Sequence, residues 1–431
     1  MKVSVLGACG RIGLPLTWLI AKAGHKTTGI DPNYKLATEA QFGMNDFPYI
    51  EDGFEFNNIN QWKPILQKID FTSQYAPLDT ADVIVVVIGT PVDGENNPRI
   101  ENIVALFKNV IIPRMKEGVV LILRSTVSPG VTELIYNMIE EQRPGLIEGE
   151  DYFLAFAPER VSQGHSVKET GEFPQLVGTF SDKSFKATSN FFDSIGTGKC
   201  VKMTPREAEY GKLITNMYRY VNIALANEFY MIAAGQGVNA HRVIELCNLK
   251  YPRMNMPLPG PNAAGPCLFK DGKLLVQDVP YGDLINVAFH VNEGMPAFMF
   301  KQLMAKATDI GVTIKKVGIL GMAFKPGNDD IRFSASYKLK KILLKNGIEV
   351  LEIDPYHKAD LWPSLNTGML PKQDAFVVMT PHTEMMQNFA INLEQLMFEN
   401  NTIIVDGWNV LAPNLNNGIY TVGEYKTWLK S

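Results

Sequence analysis

Two stretches of the chain order their apolar and polar positions in the same way. Residues 2–32 run KVSVLGACGRIG…AKAGHKTTGIDP, and residues 316–355 run KVGILGMAFKPG…LLKNGIEVLEIDP. Each opens with an apolar run of strand length and breaks at a glycine-bearing turn. Each then continues at helical spacing, breaks again at glycine, and ends in a second strand closing on Ile-Asp-Pro. The pattern predicts a βαβ unit used twice. Further short, β-branched runs follow each copy, at 81–91 and 118–127 after the first and at 374–381 and 401–408 after the second. Apolar on both faces, they read as parallel strands covered by helices.

Between the copies lies a helical region. Thr204-Pro205-Arg206-Glu207 predicts its start: an N-cap, proline at the first helical position, and a glutamate to complete a capping box. Periodicity then continues without proline to Ala234, where Gly235 and Gly237 stop it. About 30 residues at about 1.5 Å each make a rod of roughly 45 Å. The expected fold class is α/β: two doubly wound, Rossmann-like parallel-sheet domains joined by a helical central domain with a long connecting helix. The expected division is 1–200, 201–300 and 301–431, since 431 residues exceed one ordinary core. Pro257, Pro259, Gly260 and Pro261 mark an irregular loop just before Cys267.

Composition narrows the partners. A net charge of -4 gives no reason to expect nucleic acid or an anionic membrane surface. No run approaches bilayer-spanning length, and MKVSVLGACG reads as a first strand rather than a signal peptide. Cys9, Cys200, Cys247 and Cys267 are widely spaced, which is neither a disulfide framework nor a metal pattern, so a reducing cytosol is expected. The six histidines are scattered and no metal site is expected.

The first turn carries Gly7, Gly10 and Gly13 in the order GxxGxxG, a form with one residue more than the commoner GxGxxG. Glycine there lets the backbone approach a pyrophosphate at a helix N-terminus. Asp31 follows Gly10 by 21 residues and ends the next strand. A carboxylate there accepts ribose hydroxyls and repels a 2′-phosphate, which favours NAD over NADP. The second copy has Lys325, Asp330 and Arg332 instead, suited equally to a different phosphate-bearing ligand or to a solvated charged turn. Lys212 and Asn216, four apart, share a helix face. A lysine beside an amide can take a proton from an alcohol or stabilise the alkoxide, although taken alone it reads first as a solvated surface residue. The stretch GPCLFKDGK (265–273) sets the Cys267 thiol, the Lys270 ammonium and the Asp271 carboxylate within five residues. Cys267 is there an inert thiol or a nucleophile.

Other short motifs join these: Leu14-Pro15, Pro48-Tyr49-Ile50-Glu51-Asp52-Gly53, Gly89-Thr90-Pro91, Ser125-Thr126-Val127 with Gly130, and Ala157-Pro158-Glu159-Arg160. Later come Pro259-Gly260-Pro261, Gly265-x-Cys267, Gly321-x-Ala323-Phe324-Lys325 and Asp330-x-Arg332-x-Ser334. In order and spacing the whole set resembles the nucleotide-sugar 6-dehydrogenases, the family of UDP-glucose and GDP-mannose dehydrogenases. The resemblance implies oxidation of a nucleotide sugar's C6 alcohol to a carboxylate with two NAD⁺. Cys267 would capture the aldehyde as a thiohemiacetal that becomes a thioester and is hydrolysed. It also implies that Lys212 handles the alcohol proton and oxyanion with Asn216 beside it. Asp271 would partner the Lys212 ammonium or the hydrolytic water, which Glu159 and Thr126 would position.

By the same resemblance, NAD contacts fall at Gly7, Gly10, Arg11, Ile12, Gly13, Asp31, Thr90, Pro91, Ser125, Thr126 and Arg332. UDP-sugar contacts fall at Glu159, Arg160, Lys212, Asn216, Arg253, Leu258, Gly260, Phe324 and Lys325. Arg253, 14 residues before Cys267, resembles an arginine given to the neighbouring subunit's site, which implies a homodimer with the long helix at its interface. The Ala157–Val161 segment and that 14-residue spacing resemble the UDP-N-acetyl-D-mannosamine branch, which is the sugar expected. Lys270-Asp271 resembles the UDP-glucose branch, so UDP-glucose and UDP-N-acetylglucosamine stand as alternatives. A two-electron β-hydroxyacid-type dehydrogenase would need neither Cys267 nor a second nucleotide-binding half. A non-catalytic NAD-binding protein would need no intact Lys212, Asn216, Cys267 and Asp271. Four features depart from the family: the glycine-rich lead-in reads Asn262-Ala263-Ala264-Gly265-Pro266, a stiffer and bulkier loop, Phe269 stands where proline is frequent, Gln163 stands where some members carry a second glutamate, and Trp408 replaces an arginine often found near the substrate.

Overall fold

Lys2–Leu6 (β1) pairs in parallel with Lys26–Ile30 (β2) on one side and with Val83–Val86 (β4) on the other. Asp70–Thr72 (β3), Val119–Leu123 (β5), Tyr152–Phe156 (β6), Gln175–Thr179 (β7) and Cys200–Met203 (β8) complete an eight-stranded sheet. Its order is β3-β2-β1-β4-β5-β6-β7-β8, and only β6 and β7 run antiparallel. The computed structural model describes all residues except 43–48, 50–58, 91–98, 264, 266–267, 277–278, 358–370, 395–398, 414 and 431.

The order reverses between β1 and β4, so the chain leaves a crevice at the carboxyl ends of those two strands, where open α/β sheets bind ligands. Strand periodicity sends Leu6, Ile84, Val86, Leu121 and Leu123 into one core. Val3, Val5, Val83, Val85 and Ile122 enter another. Burial on both faces explains why these runs show no polar alternation. This unit comprises Met1–Asn216 and Lys270–Val279.

The second unit, Met217–Phe269 with Pro280–Ser431, repeats the plan on a smaller sheet. Lys316–Leu320 (β9), Glu349–Ile353 (β10), Ala375–Val378 (β11), Ile403–Asp406 (β12) and Ile419–Thr421 (β13) run in the order β10-β9-β11-β12-β13. Only β13 is antiparallel. Val317, Ile319, Val377 and Val405 pack with Met299, Leu303 and Leu339 on one face, and Leu320, Phe376, Val378 and Ile404 with Phe389 on the other.

The sequence repeat is a structural repeat down to single atoms. Gly7 (φ +86°) donates its N–H to the Ile30 carbonyl at 2.9 Å, and Gly321 (φ +90°) donates to the Ile353 carbonyl at 2.8 Å. A Cβ on Gly7 would lie 2.8 Å from the Val87 carbonyl oxygen, and one on Gly321 would lie 2.2 Å from that of Thr380. Asp31 accepts the Cys9 N–H at 3.1 Å and Asp354 accepts the Met322 N–H at 2.6 Å, so each carboxylate that ends a βαβ unit braces its own turn.

The long helix spans Pro205–Ala234. Its predicted capping box is present: Thr204 N–H donates to Glu207 Oε2 at 2.8 Å, and Glu207 N–H to Thr204 Oγ1 at 3.3 Å. Among the described residues no helix is long and apolar enough to cross a membrane.

Candidate active site

The first turn separates its three glycines by role. Gly7 is held in the left-handed region, and a Cβ on Gly13 would fall 1.9 Å from the Gly7 oxygen, so both are demanded by packing. A Cβ on Gly10 would meet only that oxygen at 3.5 Å, an ordinary contact, and Gly10 is exposed. Packing therefore leaves Gly10 free to be any small residue. The helix behind it, Gly13–Lys22, has no side-chain cap and no acid in its first turn. Its N-terminal donors and positive dipole end are left for an anion. Asp31, buried, also accepts the Asn33 N–H at 2.8 Å, and two oxygens with two such bonds keep lone pairs for further donors. A backbone cradle bare of Cβ, an uncapped helix end and a carboxylate after β2 fit a dinucleotide. Arg11 lies over the Tyr49 ring, 4.8 Å from its centroid.

Four elements of the same unit meet in one hydrogen-bonded chain. Thr90, after β4, donates its hydroxyl to the Thr126 carbonyl, after β5, at 2.8 Å. Lys270 donates to Thr90 Oγ1 at 3.1 Å and pairs with Asp271 Oδ1 at 2.9 Å. Asp271 Oδ2 accepts Asn216 Nδ2 from the long helix at 2.5 Å. Asp271 is fully buried, in the first turn of the helix Leu268–Val276. Among the described residues the bonds of Asp271 run to its chain neighbour Lys270 and to Asn216 and none runs to Lys212, while each oxygen keeps a lone pair for a further donor or a water. Lys212, one helical turn before Asn216 and 8% exposed, has no hydrogen-bond or ion-pair partner among the described residues. A buried polar head without a protein partner is costly and points to a ligand that completes it.

Glu159 follows β6, the strand that pairs with β5, and donates its N–H to the Arg124 carbonyl at 3.4 Å. Arg124, the last residue before Ser125-Thr126, is buried at 1% exposure, forms an ion pair with Glu159 Oε2, and sits over the Phe192 ring. Glu159 Oε1 accepts the Arg160 and Val161 N–H groups at 2.9 and 3.2 Å. Burial works to raise the Glu159 pKa, but the charge and hydrogen bond of Arg124 and the two backbone donors outweigh it and hold the carboxyl below its ordinary range. Arg160 donates to the Pro174 carbonyl. Ser125 is buried and Thr126 half-buried at the β5 exit.

The second unit gathers the remaining candidates. Arg332 is gripped by both oxygens of Asp330, at 2.9 Å from Nε and 2.7 Å from Nη2. The Phe324 ring covers Gly265, where a Cβ would lie 2.7 Å from it. Trp408 covers Gly260 in the same way, at 2.5 Å, and donates its indole N–H to the Met379 carbonyl at 2.9 Å. The two glycines kept in this loop are thus the two that carry aromatic rings. Arg253 and Leu258 are exposed. Pro91 and Cys267, with all of Pro48–Gly53 except Tyr49, lie outside the described residues.

Family comparisons agree with this geometry across the chain. Residues 1–195 match the NAD binding domain of the UDP-glucose/GDP-mannose dehydrogenase family, residues 206–293 its central domain, and residues 318–413 its UDP binding domain. The chain belongs to that family. It is 32% identical over 417 residues to a UDP-N-acetyl-D-mannosamine dehydrogenase of Pyrococcus horikoshii, covering 95% of this chain and 96% of that one. The solved structure of a UDP-N-acetyl-mannosamine dehydrogenase from Staphylococcus aureus matches with a TM-score of 0.81 at 26% identity over the full length of both chains. An NDP-N-acetyl-D-galactosaminuronic acid dehydrogenase from Methanosarcina mazei matches with a TM-score of 0.72 at 27% identity, covering 97% and 93%. The chain is an NAD-dependent nucleotide-sugar dehydrogenase, an oxidoreductase.

The sequence assigns no role to two polar residues of the site. Arg124 has a local signal, a cation closing the apolar run VVLIL. Lys270 is visible there only as half of a Lys-Asp pair, because its bond to Thr90 joins positions 180 apart.

Proposed function

We propose that this chain carries out the four-electron oxidation of UDP-N-acetyl-D-mannosamine at C6, through a covalent adduct on Cys267. The observation that carries the reading is the buried Lys212, without a hydrogen-bond or ion-pair partner among the described residues, one turn from the Asn216 that bonds a carboxylate four residues after Cys267. NAD supplies the hydride acceptor for both oxidations. Gly10 and the uncapped Gly13–Lys22 terminus bind its pyrophosphate, with Arg11 and Ile12 at the same turn, and Asp31 takes the ribose hydroxyls. Thr90, Pro91 and Ser125 border it.

Lys212 holds the C6 oxygen and takes the alcohol proton as the aldehyde forms, with the Asn216 amide oriented by Asp271. The Cys267 sulfur then bonds to the aldehyde carbon, and the resulting thiohemiacetal is oxidised to a thioester. Water held by Glu159 and Thr126 adds to the thioester carbon, and the C–S bond breaks to return the thiolate. Lys270, paired with one Asp271 oxygen, holds the other turned toward Asn216. Phe324 and Lys325 hold the sugar nucleotide, with Arg160, Leu258 and Gly260 around it, and Arg332 reaches the cofactor.

The proposed division is threefold, with the helical segment 201–300 as a dimerisation domain. Tyr210, Ile214, Tyr218, Leu225, Phe229 and Ile232 are all exposed on the long helix. At about 100° per residue they fall in one stripe roughly 100° wide. That stripe is the proposed homodimer seam, and the exposed Arg253 is the residue given to the partner's site.

The functional reading is tested by NADH release from UDP-N-acetylmannosamine, UDP-N-acetylglucosamine, UDP-glucose and GDP-mannose. The expected outcome is the highest kcat/KM for UDP-N-acetylmannosamine. A preference for UDP-glucose would overturn the sugar assignment, and inactivity on all four would overturn the reaction.

A further inference from the structure

The lead into the cysteine loop is held by buried polar side chains from several elements. His241 Nε2 lies 3.1 Å from the Pro259 carbonyl oxygen, and Asn227 Oδ1 accepts the Gly260 N–H at 2.9 Å. Asn227 in turn donates to Asn292 at 3.0 Å. Asn262, 4% exposed, does the most. Its Nδ2 lies 2.8 Å from Thr380 Oγ1, 3.1 Å from both the Ala323 carbonyl and Ser334 Oγ, and 3.4 Å from Ser336 Oγ. Its Oδ1 accepts the Ala335 N–H at 2.9 Å. Two amide hydrogens are shared among four acceptors, and the Ala323 carbonyl also takes the Thr380 hydroxyl at 2.6 Å. A glycine at this position would make none of these bonds.

Two consequences follow. First, the N-terminus of the helix Ala335–Lys345 is closed from within. Asn262 takes the Ala335 N–H and Ser334 takes that of Ser336 at 3.3 Å, in contrast to the uncapped first βαβ helix. Second, the turn after β9 is joined to the cysteine loop on two sides. Asn262 bonds the Ala323 carbonyl, and the next residue, Phe324, lays its ring on Gly265.

We infer that Asn262 is a positioning residue: it ties the nucleotide-holding turn 323–325 to the chain entering the Cys267 loop, so that occupation of the turn sets the presentation of the thiol. The inference rests on the proposed function, in which Phe324 and Lys325 hold the sugar nucleotide and Cys267 attacks.

The test uses the full chain with Asn262→Ala and the milder, near-isosteric Thr380→Val. UDP binding is measured by calorimetry. Alkylation of Cys267 by iodoacetamide, with and without UDP, is read at the peptide level by mass spectrometry, and kcat and KM are measured separately. In the unmodified protein UDP is expected to change the Cys267 alkylation rate severalfold. Asn262→Ala is expected to bind UDP with nearly unchanged affinity while losing that effect. Its kcat is expected to fall about tenfold to a hundredfold, the scale of a misplaced reactive group, with KM little changed. Thr380→Val should move in the same direction by less, and it decides alone if Asn262→Ala does not fold. Folded variants that keep both the UDP effect and kcat would overturn the inference by itself. Failure of the unmodified protein to bind UDP, or full turnover after Cys267 alkylation, would overturn the functional reading and the inference with it.

Discussion

Arg124 and Glu159 show what a single buried pair does here. The guanidinium is enclosed, its carboxylate partner is nearly so, and each is the other's main compensation for leaving water. Removing one member strands a buried charge and should cost about 3–5 kcal/mol, whereas removing both is far cheaper. Arg124→Met is therefore expected to lower stability in urea unfolding by that amount, and Arg124→Met/Glu159→Gln to recover at least half of it. Equal losses in the single and double variants would contradict the pairing. The sign with pH follows from the depressed Glu159 carboxyl. Its contribution is complete above the ordinary glutamate value of 4.5 and is lost as pH falls through the lower value of the folded state. The double variant should lack that acid loss. None of this was legible beyond the cation at a strand end, because the partner is 35 residues away and the ring beneath it is farther still.

Among the elements, the βαβ turns were the most legible, since they are written in local periodicity and glycine spacing. The sequence alone did not say which glycine serves packing and which serves the ligand. Gly13→Ala would drive a Cβ into backbone 1.9 Å away and should destabilise by about 1–3 kcal/mol or more. Gly10→Ala should leave the melting temperature unchanged or slightly raised, since Gly→Ala at a compatible site stabilises by about 0.4–1 kcal/mol. It should nevertheless weaken NAD binding at least about tenfold by holding the pyrophosphate off the backbone. Calorimetric titration with NAD and thermal melts separate the two effects. A Gly10→Ala protein that binds NAD normally would remove the cradle from this turn. The Asn262 contacts were illegible for another reason: its partners stand 61, 72 and 118 residues along the chain, and no local period brings them together. In isolation, Asn262-Ala263-Ala264 looked like a stiffened glycine loop. In the fold, glycine is kept only where Phe324 and Trp408 lie on the backbone.

On the scale of the whole molecule, the α/β plan with two Rossmann-like sheets and a long helix was legible because both sheets repeat one local pattern. The expected homodimer, with the long helix at its interface, came from the family resemblance alone, and the exposed stripe on that helix that supports the proposal becomes visible only once burial is known. If Arg253 completes the partner's site, mixing Arg253→Ala with Cys267→Ser protein should restore activity through heterodimers with one intact site. Absence of recovery despite demonstrated subunit exchange would return Arg253 to its own subunit. The central claim is that one site joins two oxidations through Cys267, and the most direct measurement is the number of NADH formed per sugar consumed. The account predicts two, with a uronic acid as the product and no free aldehyde. One NADH per sugar, with the aldehyde as the end product, would contradict it.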